Sequence, residues 1–140
     1  MQFVCDAPGR KTWFRIETEV EAAQESELMR HAVEKHFLRA HEEASQSYRP
    51  APGPIFEQDI GRGAHIQRIM PVFLTLRDGE GTALATAMLP QPARDNTTTP
   101  ILVGPANSDP YPAHGEAIEA LALHFGRTLE RARCYPYRRG

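Results

Sequence analysis

TEVEAAQESELMRHAVEKHFLRAHEEASQSY, residues 18–48, is the stretch whose reading decides the fold of this chain. Its opening, Thr18-Glu19-Val20-Glu21, has the form of a capping box. The threonine hydroxyl can accept the backbone N–H three residues on, and Glu21 can accept from the backbone of Thr18. Glu19 and Glu21 also face the positive end of the helix dipole. At about 100° per residue, Met29, Ala32, Val33, His36, Phe37, Ala40 and Ala44 share one arc, with Ala22 and Tyr48 in line. The segment contains no glycine or proline. The pattern therefore predicts one continuous helix of about thirty residues, ~45 Å long.

That length has a consequence for assembly. A folded chain of 140 residues has a radius of gyration near ~14 Å. A continuous rod would be longer than the body it lies on, and would kink, overhang or rest on a second copy. Leu28 and Leu38 fall off the apolar arc, towards Val20. They mark a candidate interface, and with it a homodimer.

Outward from the helix, Lys11–Glu17 (KTWFRIE) is rich in aromatic and β-branched residues and predicts a strand. It is preceded by the turn signal Ala7-Pro8-Gly9-Arg10. After the helix, residues 49–54 (RPAPGP) predict a stiff connection, Ile55–Ile60 a short strand, and Gly61-Arg62-Gly63 a flexible joint. Residues 65–77 and 82–89 form the two arms of a hairpin around Asp78-Gly79-Glu80-Gly81. Met70, Val72, Leu74 and Leu76 alternate onto one face, and Ile69 and Phe73 onto the other. Apolar side chains on both faces predict an interior strand, or one covered on both sides. The alanines of the second arm admit the close approach of a helix. Residues 90–100 form a polar loop, Ile101–Val103 a short strand, and residues 104–115 a second loop.

A last helix is predicted from about Ala113 to Arg133, with Ile118, Leu121, Ala122, Phe125, Leu129 and Ala132 on one arc. The sum is a single α+β domain over residues 1–140. It is an antiparallel sheet of four to five strands packed by one long N-terminal helix and one C-terminal helix, with the helices on one face. A strand-to-helix passage at each end could add a parallel pair.

Composition narrows the function classes. The formal net charge is −2, with nine acidic and seven basic groups in residues 1–50 and nine of each in residues 51–140. This balance gives no electrostatic reason for a DNA or membrane partner. Arg127, Arg131, Arg133, Arg138 and Arg139 with Tyr135 and Tyr137 have the composition of a single-strand nucleic-acid groove. Glu119 and Glu130 in the same region favour a solvated helix face instead. No apolar run approaches the ~20 residues of a membrane span, and the start of the chain does not read as a signal peptide. Fourteen arginines against two lysines, with abundant alanine, glycine and proline, fit a GC-rich bacterial source. Cys5 and Cys134 are far apart in sequence and read as free thiols in a reducing cytoplasm.

The candidate chemistry is sparse. His31, His36 and His41 are five residues apart, which turns each away from the last on a helix, and no metal or cofactor motif is present. His36 lies on the apolar arc and reads as a core histidine bonded to backbone. Asp59, Arg62 and His65 gather around the glycine joint. The strongest site candidate is the loop from Gly104 to Gly115, which leaves a strand and enters a helix N-terminus, where N–H groups favour an anion. Asn107, Ser108, Asp109, Tyr111 and His114 can all hydrogen-bond there, with His114 as acid or base and Asp109 as its orienter. No catalytic constellation stands out. The expectation is a non-catalytic, homodimeric accessory or regulatory binding module, and the alternative is a small-molecule enzyme or anion-binding protein using the 104–115 loop.

Overall fold

The computed structural model describes residues 1–91 and 99–137. Most of the polar loop expected at 90–100, and Arg138 and Arg139 of the basic tail, lie outside the described residues.

The chain is α+β. Its five strands are β1 (Gln2–Ala7), β2 (Lys11–Arg15), β3 (Val72–Arg77), β4 (Ala83–Leu89) and β5 (Ile101–Val103). They form one sheet in the order β1-β2-β3-β4-β5, and every neighbouring pair is antiparallel. The parallel pair raised by the sequence is therefore not among these strands. A single parallel bridge joins Ile101 to Tyr135. The turn signals explain the register. Gly9 and Arg10 both take positive φ in the β1–β2 turn, and Gly81 does so in the β3–β4 turn. Asp78 accepts the N–H groups of Glu80 and Thr82 there.

Three helices stand between β2 and β3: α1 (Glu19–Met29), α2 (Val33–Gln46) and α3 (Ile55–Ile69). A fourth, α4 (Tyr111–Phe125), follows β5. The capping box of α1 is formed as read: the Glu21 N–H donates to Thr18 Oγ1, and Thr18 N–H to Glu21. The single rod is not formed. Arg30 is left-handed at φ 53°, which ends α1 and turns the chain into α2. The cause lies outside local propensity. Ser26, inside α1, accepts the N–H of Glu34 at 2.8 Å, so it caps the next helix from a distance. The His31 side chain reaches the sheet at Thr86. Two pieces of about 16 and 21 Å replace the expected 45 Å, so the length argument for a second copy falls away.

Three further expectations are corrected. The strand at Ile55–Ile60 and the joint at Gly61–Gly63 are parts of α3. Gly61 serves as a notch: a Cβ there would sit 2.1 Å from the Tyr48 hydroxyl. The last helix ends at Phe125, and Gly126, left-handed at φ 63°, is its C-cap rather than an interior residue. The helices also cover both faces of the sheet instead of one.

Each face has its own core. On one, Val72, Leu74 and Leu76 of β3 and Ala85 and Ala87 of β4 meet Ala117, Ile118 and Leu121 of α4. The closest approach of α4 is to β1, not to the alanines of β4. Trp13 is fully buried in this core and donates its indole N–H to the Ala117 carbonyl at 2.8 Å, tying β2 to α4. On the other face, Ile16, Phe73 and Met70 meet Ala22, Val33, Phe37, Ala44 and Ile66 from the three-helix layer. Phe37 and Phe73 pack edge-on, with centroids 5.2 Å apart. The apolar arc of residues 18–48 thus holds for most members, although His36 is exposed rather than in the core.

The joint makes a stability prediction. A non-glycine left-handed residue costs roughly 1–2 kcal/mol, and glycine avoids most of it. Arg30→Gly should stabilise the fold by about 0.5–1 kcal/mol. Ser26→Ala should destabilise it by about 1 kcal/mol through loss of the remote cap. Urea unfolding of the two variants measures both, and a neutral Ser26→Ala would remove that account of the break.

Candidate functional site

The two faces of the sheet are not covered equally. Register places Phe73, Met88 and Ile101 in one row across β3–β5, and Thr75, Thr86 and Val103 in the next row on the same face. The three-helix layer sets α1 on β4 and packs Phe37 of α2 on Phe73 of β3. Over β4 and β5 it leaves a cleft of about 530 Å³. Its floor includes Phe73, Thr86, Met88, Ile101 and Val103. Its walls come from the α1–α2 joint and the start of α2 (His31, Ala32, Val33, His36) and from the later chain (Asn107, Tyr135, Pro136). Ligand sites are typically clefts of about 300–1,000 Å³, mostly apolar, with a few placed polar groups.

Beneath the cleft runs a buried polar chain. Glu25 of α1 is 0 % exposed. Arg77 Nη2 donates to one of its oxygens at 2.8 Å, and Thr86 Oγ1 to the other at 2.6 Å. Arg77 also donates through Nε to Thr75 Oγ1. His31 Nε2 lies 2.8 Å from Thr86 Oγ1, and its Nδ1 lies 3.4 Å from the N–H of Val33. These partners define a tautomer. The Thr86 proton goes to Glu25, so Thr86 accepts from a protonated Nε2, and Nδ1 accepts from Val33. Burial holds the His31 imidazole below the ordinary histidine range and outweighs the opposing pull of the Glu25 carboxylate.

The loop expected to form the site is distributed over several jobs. Asn107 lines the cleft. Ser108 donates its hydroxyl to the Pro105 carbonyl at 2.6 Å, closing a tight turn. Asp109 accepts the Tyr111 N–H at 3.0 Å and the Arg131 Nε at 2.7 Å. An internal carboxylate thus already opposes the start of α4. Tyr111 donates to the Leu129 carbonyl at 2.7 Å, and burial raises its phenol well above the ordinary range. His114 Nδ1 is 2.9 Å from Lys11 Nζ, and burial, with the Lys11 charge second, lowers its pKa. Asp109 and His114 therefore have separate partners and do not form the acid–base pair suggested by the sequence. Asp59 and Arg62 are 3.9 Å apart on α3, whereas His65 bonds Ser47 and Arg68.

Glu25, Arg77 and Thr86 were not singled out by the sequence reading, and His31 was assigned no role. One signal was present: Glu25 lies on the same helical arc as Ala22 and Met29, a charge on an apolar stripe. Among the described residues no group of three or more His, Cys, Asp or Glu side chains could hold a metal ion, and no helix is long and apolar enough to cross a membrane. Comparison with protein-family models, curated proteins and solved structures returns no match.

Two expected outcomes follow from the buried chain. Thr86→Val leaves a Glu25 oxygen and the His31 N–H without partners, and should cost about 1–3 kcal/mol in chemical unfolding. His31 and His114 both have folded-state pKa values below the unfolded value near about 6.5. The unfolded chain therefore takes up protons first as pH falls. Stability from these groups is full above the unfolded value and is lost as pH drops from about 6.5 through the folded values. Tm should fall between about pH 7.5 and 5.5, with His114→Gln removing part of the slope. A flat Tm across that window contradicts the assignment.

Proposed function

We propose that the chain is a non-catalytic binding module whose ligand occupies the cleft over β4 and β5. The observation that supports this is the part of the apolar sheet face left bare by the helix layer, with the joint of α1 and α2 and the Tyr135–Pro136 segment standing beside it. The polar groups deepest in it, Thr86 and His31, are engaged with Glu25 and with each other. Cys134 belongs to the core on the other face, and Cys5 packs against that same core. Among the described residues the cleft thus presents an apolar floor and no nucleophile paired with a free base, which favours binding over turnover.

The alternative, an anion or substrate site within residues 104–115, has less support. Asp109 is paired with Arg131 and His114 with Lys11, leaving Asn107 as the member of that set that lines the cleft.

A second copy is the weaker part of the reading. With the rod broken, its support is the exposure of Leu28 at 59 % and Leu38 at 36 %. Light scattering decides it: a dimer at micromolar concentration that Leu28→Glu and Leu38→Glu dissociate supports pairing, and an unaltered monomer mass removes it.

Occupancy of the cleft is tested by ligand-observed NMR against a small apolar fragment set, with the Met88 methyl as reporter. Binders should shift that methyl and raise Tm, since a ligand held by the native state alone must stabilise it. Ala32→Trp places an indole on the wall and should abolish both effects. Binders that leave Met88 unmoved and ignore Ala32→Trp would place the site elsewhere.

A further inference from the structure

We infer that the cleft takes an amphipathic monocarboxylate, its apolar chain along the bare rows of β4 and β5 and its carboxylate at the rim beside His36 and Asn107. The inference rests on the binding reading above and names the ligand class.

The first argument is charge. Among the described residues no Asp, Glu, Lys or Arg lines the cleft, and the ionisable groups there are two histidines and Tyr135. Glu25, the carboxylate bonded to Thr86 of the cleft floor, is paired with Arg77. Among these described lining residues a cationic ligand meets no anion, whereas an anionic one meets no like charge.

The second argument is which polar groups are left over. His31 and Thr86 are committed inside the fold. His36 and Asn107 are exposed, line the cleft, and have no hydrogen-bond partner among the described residues. An imidazole and a carboxamide can each donate an N–H, and a carboxylate accepts from both.

The third is the backbone that presents Asn107. Ala106 and Asn107 are both left-handed, at φ 54° and 60°. Asparagine tolerates that region, while alanine is strained there. Such strain is characteristic of segments that hold a side chain for a ligand. The floor of Phe73, Met88, Ile101 and Val103 supplies the apolar seat for a chain or ring.

The test is calorimetric titration of the whole chain with octanoate, decanoate, octan-1-ol and octylamine below their aggregation limits. Each added methylene should tighten binding about fourfold, so decanoate, two methylenes longer, should exceed octanoate roughly fifteenfold. Octylamine should not bind. Asn107→Asp keeps a residue tolerant of the left-handed region and adds a like charge; His36→Ala removes the imidazole from an exposed position. Each should weaken decanoate at least fivefold and weaken octan-1-ol less, with circular dichroism confirming the fold. If alcohol or amine binds as well as the acid, or the variants do not discriminate, the carboxylate assignment fails while the cleft remains a binding site. If no member of the series binds or moves the Met88 methyl, both readings fail.

Discussion

The buried carboxylate of Glu25 constrains the rest of this structure. Removing an ionised group from water costs several kcal/mol unless it is paired and its lone pairs are used. Here Arg77 from β3 takes one oxygen and Thr86 from β4 takes the other. That requirement fixes where α1 can sit: its inner face must meet the middle of the sheet at one register. His31 is then brought onto Thr86, and the chain has to turn at Arg30 to place it there. A helix pattern with no breaker residue is thus broken by a polar contact from its own sheet.

The turn in turn decides how much of the sheet is covered. A straight rod could have spanned the whole face. Two shorter helices instead divide the contact: α1 meets β4 through Glu25 and Thr86, and α2 meets β3 through Phe37 and Phe73. On the opposite face α4 lies along β1, shares a core with the alanines of β4 and is anchored by Trp13. The cleft is a consequence of this unequal layering, and the buried ion pair beneath it holds both its floor and one wall in place.

What could be read in the sequence follows from the range of the forces involved. Thr18 with Glu21, the glycine turns and the alternation of Val72, Leu74 and Leu76 are local signals that the structure follows, whereas Met70, expected in the same row, caps α3 and packs in the opposite core. Phe73 pointing away from that row was also legible, although the helices were expected on one face only. The break at Arg30 was not, since its causes are Ser26 reaching across to Glu34 and His31 reaching to Thr86. The glycines of 61–63 misled in the same way. Gly61 answers to the Tyr48 hydroxyl on a neighbouring helix, not to a turn. Of the site, Asn107 was named from its loop, whereas the remainder of the cleft depends on which rows of the sheet stay uncovered, a property of packing that no local pattern carries.

The segment around Tyr135 joins two roles that are usually separate. Its backbone bonds Leu102 and Pro100 and so shields the outer margin of β5, which would otherwise offer unpaired amides to another chain. Its side chain, with Pro136, borders the cleft. Whatever enters the cleft therefore leans on the same few residues that keep this margin closed. One short segment thus both guards the sheet against stray strand addition and bounds the cavity, so neither can be altered there without touching the other.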